Sequence, residues 1–210
     1  MNTPNASTGI YCAKAPSFLR KFRQHGMQVA MLRPSSSFLA KAHCAHVNPD
    51  RPQIIVELGA GTGPVTEAIC ARMHPESRLF ALEIDADFAA VLRERCPRAN
   101  VLVEDAGNLI DIAARYEWDR IDVMISCLAL PYIPRRAVAA IFGAFAALGQ
   151  QAWFTQQTLV PLVYRRMYTR LFEEVHFRPV ARNLPPGGVY HCRGLRPNYR
   201  TRLPGKRMSP

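Results

Sequence analysis

The stretch Ile54-Ile55-Val56-Glu57-Leu58-Gly59-Ala60-Gly61-Thr62-Gly63-Pro64 constrains the fold of this chain more than any other. A run of β-branched and apolar residues without alternation is the pattern of a parallel strand buried on both faces. It ends in three alternate glycines, and a segment of helical character, Val65 to Met73, follows. Glycine reaches positive φ without strain and carries no Cβ, so the backbone can turn sharply and approach a ligand closely. Strand, glycine turn and helix in that order predict an α/β sheet with a nucleotide-type cofactor at its carboxyl edge.

The spacing narrows the cofactor. A dinucleotide loop reads G-x-G-x-x-G, with the helix N-terminus facing a pyrophosphate. Here the spacing is G-x-G-x-G, and Glu57 stands at the strand end. A carboxylate at that point repels a pyrophosphate but suits a ligand with a positive amino group and a sulfonium. A second strand, Arg78 to Leu82, runs into Glu83, where an acid can take both hydroxyls of a ribose. A third, Asn100 to Glu104, precedes Asp105-Ala106, placed to meet an adenine amino group. An ordinary glycine turn does not require acids at three successive strand ends.

Across Ile54 to Ser126 the pattern resembles the class I S-adenosylmethionine-dependent methyltransferases. The resemblance implies a Rossmann-like, mostly parallel seven-stranded sheet with an antiparallel last strand. It also implies S-adenosylmethionine held by Glu57, Gly59, Ala60, Gly61, Gly63, Glu83, Ile84, Asp105, Ala106 and Ser126.

Composition sets the outer limits. The 210 residues, 49% hydrophobic and 20% charged, suffice for one globular domain with an extension. No run of eighteen apolar residues is present, so no bilayer-spanning helix is expected. The net charge of +11 predicts a polyanionic partner, either nucleic acid or an acidic membrane surface. Cys12, Cys44, Cys70, Cys96, Cys127 and Cys192 include no C-x-x-C pair, which points to free cytosolic thiols and no metal site.

In chain order, residues 1–15 have no periodicity and are expected to be disordered. A helical extension is expected over 16–52, beginning with Phe18 to Leu32, whose apolar positions stand beside Arg20, Lys21 and Arg23. Such a segment can lie in a membrane interface with Phe18 and Phe22 at the acyl boundary, or pack on the domain with a solvated basic face. Arg33-Pro34-Ser35-Ser36-Ser37 breaks it, and a serine there can cap a helix from Phe38 to Val47. The catalytic domain is expected over 53–194, with helices Ala86 to Arg95, Ile110 to Tyr116, Arg135 to Leu148 and Pro161 to Glu173. A fourth strand, Ile121 to Ile125, leads into Ser126 to Pro134, which should line the acceptor pocket because reacting groups gather at the carboxyl ends of strands. Ala152 to Gln156 reads as the fifth strand, and Val175 to Val180 with Val189 to Arg193 as a closing hairpin. The basic tail, 195–210, is expected to be disordered.

Three stretches sharpen the resemblance. Phe18-Leu19-Arg20 with Arg33-Pro34-Ser35-Ser36, the Glu57 to Gly63 loop, and Asn183-Leu184-Pro185-Pro186-Gly187-Gly188-Val189-Tyr190 together resemble the bacterial phospholipid N-methyltransferases. That family implies a cytoplasmic enzyme, peripheral on the inner membrane, that methylates phosphatidylethanolamine towards phosphatidylcholine, or the amine of ornithine lipid. It implies an anionic membrane as partner, bound through Phe18, Arg20, Lys21, Phe22 and Arg23. The family often shows Ser-x-Leu-Pro after the fourth strand; here Ser126-Cys127-Leu128-Ala129 puts the proline later, at Pro131, which leaves pocket shape open.

For the chemistry, Ser126 and Tyr190 are the candidates to orient the amine, with Arg33 on the lipid phosphate and Tyr132 beside the substrate. A core role in the hairpin is the competing reading for Tyr190, and packing for Tyr132. The alternative function is an rRNA adenine N6-methyltransferase, which would use the arginines on phosphates. Such enzymes grip the base with N-L-P-Y; this chain has Ala129-Leu130-Pro131-Tyr132, with alanine where the amine-accepting carbonyl should be.

Overall fold

A computed structural model of the chain describes residues 36–159, 161–183 and 186–204. The expected disordered N-terminus, the basic helix with Phe18, Arg20, Lys21, Phe22 and Arg23, and Arg33 all lie outside these residues, as does the end of the tail.

The chain starts with a short helix, α1 (Ser37–His43), which tightens into a 3-10 turn at Cys44–His46. Then follow β1 (Ile54–Leu58), α2 (Pro64–Arg72), β2 (Arg78–Glu83), α3 (Ala86–Arg95), β3 (Ala99–Val103), α4 (Leu109–Arg115) and β4 (Val123–Ser126). Next are α5 (Arg135–Leu148), β5 (Trp153–Thr158), α6 (Pro161–Leu171), β6 (Phe172–Val180) and β7 (Gly187–Leu195). One seven-stranded sheet has the order β3-β2-β1-β4-β5-β7-β6. Strands β1 to β5 run parallel, and β7 is antiparallel to both its neighbours. The expected fold class is the one observed.

Alternation within each strand decides what the two faces carry. Ile54, Val56 and Leu58 of β1 join Met124, Phe154, Ile112, Phe142 and Tyr168 in one core layer, which α4, α5 and α6 cover. Ile55 joins Ile125, Val65, Ile69 and Ala40 in the opposite layer, beneath α1 and α2. Glu57 therefore points to the α2 face, while Ser126 points to the α5 face. The seven residues of α1 could not hold a helix alone. Ser36 caps it by accepting from Leu39 N at 3.3 Å, and Leu39 and Ala42 bury against Val180 and Val189.

Three expectations change. The fourth strand begins at Val123 rather than Ile121; just before it, Asp122 meets Ile54 with its carboxylate, which accepts from Ile54 N at 2.8 Å. The closing hairpin is longer than expected at both ends, so α6 stops at Leu171 and Phe172 is already a buried strand residue. The start of the tail is ordered: Arg196 N donates to Leu171 O at 2.8 Å, and Tyr199 and Leu203 are buried in the α5–α6 layer. Its arginines and prolines suggested disorder, but two apolar residues four apart were enough to dock it.

Candidate cofactor and acceptor site

The parallel strands place Leu58, Glu83, Asp105 and Ser126 along one carboxyl edge. Three glycines there take positive φ: 76° at Gly59, 57° at Gly61 and 94° at Gly63. Their neighbours separate their roles. A Cβ at Gly59 would stand 2.6 Å from Leu128 Cδ2, and one at Gly63 would run into Leu92, so these two glycines serve close packing. A Cβ at Gly61 would meet nothing within 4 Å. That position borders open space, and it is where a ligand can lie against bare backbone.

The loop is braced by β2. Gly59 N and Ala60 N both donate to Leu82 O, at 2.9 and 3.1 Å. Glu83, 2% exposed, accepts from Gly61 N at 2.7 Å with one carboxylate oxygen and from Asp85 N at 2.9 Å with the other. Its carboxylate thus fixes both the glycine loop and the entry to α3, with Ile84 half-buried between them. Asp105 accepts from Gly107 N at 2.8 Å and starts the 3-10 turn Ala106–Asn108, in which Ala106 is buried.

Glu57 is fully buried. One carboxylate oxygen accepts from Thr66 Oγ1 at 2.7 Å, and the other has no hydrogen-bond partner. Burial raises its pKa to about 7, with the Thr66 bond opposing the rise and the nearby Glu83 carboxylate adding to it. An orphaned acceptor beside an acid fits a cationic group arriving from outside the chain.

The residues expected on the acceptor side fall in one row across the sheet: Leu58 pairs with Ser126, Ser126 with Gln156, Gln156 with Tyr190, and Tyr190 with Phe177. Ser126 is fully buried and its Oγ has no hydrogen-bond partner. Tyr190 is 1% exposed, with its ring 4.9 Å from those of both Tyr168 and Phe177, and burial raises its pKa. Gln156, in the sequence only the last residue of an expected strand, is the row's further polar member. The one signal for it was a polar side chain closing an otherwise core-forming strand.

Around this row the edge carries exposed apolar groups. Tyr132 is 54% exposed on the 3-10 turn Leu130–Tyr132 and hydrogen-bonds Tyr164 of α6. Leu159 leaves β5, and Phe38 opens α1 beneath the guanidinium of Arg182, 5.1 Å from its ring centroid. Asn183 Oδ1 accepts from Ser36 N at 3.2 Å and ties the β6–β7 connection to α1. Among the described residues no cluster of His, Cys, Asp or Glu could hold a metal ion, and no helix is long and apolar enough to cross a membrane. Cys44, Cys70, Cys96, Cys127 and Cys192 are free, and burial pushes each thiol pKa up, which keeps them unreactive.

Residues 55–150 match a family model described as a methyltransferase domain. In solved structures the fold is similar to that of the 16S rRNA N2 G1207 methyltransferase of Thermus thermophilus in complex with AdoMet and guanosine. The TM-score is 0.56 at 20% identity, over 80% of this chain and 44% of that one. A segment is similar to ribosomal RNA small subunit methyltransferase A of Burkholderia multivorans, at 38% identity over 79 residues, 35% of this chain and 29% of that protein. Ornithine lipid N-methyltransferase of Singulisphaera acidiphila is 40% identical over 186 residues, 87% of this chain and 97% of that protein. Identity at this level along almost all of both chains means common descent of the whole fold rather than of the glycine loop alone, and the chain belongs to the bacterial lipid N-methyltransferase family.

Proposed function

We propose that the protein methylates the primary amine of a zwitterionic membrane lipid, with S-adenosylmethionine as methyl donor. Ornithine lipid is the first acceptor to test, since a relative of matching length carries that name. Phosphatidylethanolamine, which presents a similar amine beside an anion, is the second. The observation that carries the reading is the pairing of open space at Gly61 with the buried, unpartnered oxygen of Glu57. Both fit a cofactor with a cationic amino-acid end.

When bound, the cofactor supplies an electrophilic methyl on sulfur. The chain's own work is to bind and to align. Glu57 attracts the positive end, and Gly61 admits it to the backbone. Glu83 and Asp105, at the next two strand ends, would hold the ribose hydroxyls and the adenine amine. Ser126 would stand on the acceptor side with Tyr190 packed behind it, and holding a nitrogen in line about 3 Å from the methyl would provide much of the acceleration. A metal has no part to play in such a displacement. Peripheral membrane binding completes the proposal, because exposed Phe38, Tyr132 and Leu159 with Arg182 surround the edge at which a lipid headgroup must enter.

The ribosomal RNA reading has the short segment match behind it. Against it, Ala129 is exposed and offers no side-chain carbonyl to a base amine. Incubating the purified protein with radiolabelled methyl donor, total bacterial lipid and ribosomal RNA in one vessel decides between them. Label in an amine-bearing lipid supports the proposal, and label confined to RNA overturns it.

A further inference from the structure

Gln156 is 4% exposed, at the carboxyl edge between Ser126 and Tyr190. Its Nε2 donates to Leu128 O at 2.8 Å and to Gln157 O at 3.1 Å. Two carbonyl partners settle which end of the amide is nitrogen, since an oxygen there would face two acceptors. The Oε1 atom is thereby fixed as the other branch of the same planar amide, and it is buried without any hydrogen-bond partner. Laterally paired residues of neighbouring strands, about 4.8 Å apart, point to one face, so Gln156 shares that face with Ser126, whose Oγ is a second buried polar atom lacking a partner. Leaving a buried acceptor unpaired is costly, and two side by side at the edge that receives substrate call for a donor from outside the chain.

We propose that Gln156 orients the acceptor amine by accepting one of its N–H bonds through Oε1, with Ser126 Oγ beside it on the same nitrogen. The inference rests on the lipid-amine reading above. The lipid ammonium first loses a proton to solvent; the neutral primary amine then has two N–H bonds and one lone pair, which forms the N–C bond as the S–C bond of the donor breaks. Engaging the N–H bonds on the sheet side turns the lone pair outward, to the glycine-loop side of the edge. Gln156 thus provides the carbonyl that Ala129 lacks, from the neighbouring strand instead of the loop. The amide is held in place by Leu128, whose side chain packs on Gly59, so amine and cofactor loop are positioned by one segment.

The geometry carries a specificity consequence. A monomethylated amine in its attacking form keeps one N–H, and a dimethylated amine keeps none. Help from Gln156 must therefore decline along the methylation series. The test compares wild type and Gln156→Met on vesicles holding the primary, monomethyl or dimethyl form of one lipid, alongside calorimetric titration of each protein with S-adenosylhomocysteine. The expected result is a kcat/KM loss of roughly 10- to 100-fold on the primary amine, shrinking to about threefold or less on the dimethyl form. Cofactor-product affinity should change little, because Gly59 N and Ala60 N remain tied to Leu82 O. The ratio between substrates is independent of how much variant is folded. Gln156→Glu, whose buried carboxyl is held protonated and so keeps one O–H donor toward Leu128 O and one acceptor oxygen, should recover part of the primary-amine rate and stands in should the methionine variant not fold.

An equal loss on all three lipids, or none, overturns the inference, as does a glutamate variant with no preference for the primary amine. Absence of lipid methylation by the wild type would instead remove the function proposed above.

Discussion

Glu57 and Gly61 do opposite kinds of work within a few residues. At Gly61 the requirement is steric: φ is 57° and a Cβ would enter empty space. Gly61→Val should leave the fold standing, at a backbone cost of about 1–2 kcal/mol, yet abolish cofactor binding by calorimetry. Gly59→Ala and Gly63→Ala should instead lower thermal stability, because their new Cβ atoms meet Leu128 and Leu92. At Glu57 the requirement is electrostatic. Its pKa, raised to about 7 by burial, means that below that pH the unliganded protein holds a proton that a cationic ligand must displace. Cofactor affinity should therefore rise with pH between 6 and 7.5, by up to about tenfold per unit. Glu57→Gln should weaken binding and flatten that dependence; a slope unchanged in the variant would assign it to another group.

At the scale of elements, α1 is held to the sheet by neutral histidines. His43 is fully buried, its Nδ1 3.1 Å from Thr155 Oγ1 on β5, and burial with nearby His191 lowers its pKa to about 3. His46 stacks on Trp153 at 3.8 Å between ring centroids, and both His46 and His191 of β7 are lowered to about 4, again chiefly by burial. Arg178 of β6 and Arg193 of β7 add positive charge to the same layer, and His176 of β6 faces it. The sign follows from which state binds protons. Below the unfolded histidine pKa of about 6.5 the unfolded chain is protonated while folded His43 is not, down to about pH 3. Stability present above pH 6.5 should thus be lost on acidification, by roughly 1 kcal/mol per pH unit for His43 alone. Melting temperatures between pH 7 and 5 check this, with Trp153 emission reporting whether His46 has left its ring. A His43→Gln variant should show a shallower fall.

For the whole molecule, the question is which side meets the lipid. Phe38, Tyr132 and Leu159 come from three separate parts of the chain, and Arg182 from a fourth. Tyr132 follows the carboxyl end of β4 and Leu159 that of β5, while Arg182 of the hairpin connection lies over Phe38. Replacing Phe38 and Leu159 with serine should weaken sedimentation with anionic vesicles several-fold and raise KM for vesicle-borne lipid, with kcat on a detergent-dispersed lipid preserved. Unchanged sedimentation would place membrane contact elsewhere on the protein.

Much of this was readable along the chain wherever the cause is local. The unalternating apolar run of β1, the glycine spacing, the acids at strand ends and the span of α5 depend on neighbours within a few residues, and they predicted a doubly covered sheet and its cofactor edge. Family resemblance carried the strand count and the antiparallel end. Other features depend on residues distant in sequence. That Glu57 and Ser126 face opposite layers, that Tyr199 and Leu203 dock the tail, and that Gln156 is pinned by Leu128 follow from lateral pairing and burial between remote segments. The amino-acid order determined the fold class and the cofactor loop, because periodicity and backbone freedom are short-range properties. Only the tertiary structure decided which polar atoms are left unpaired at the edge, since satisfaction of a hydrogen bond is a property of everything packed around it.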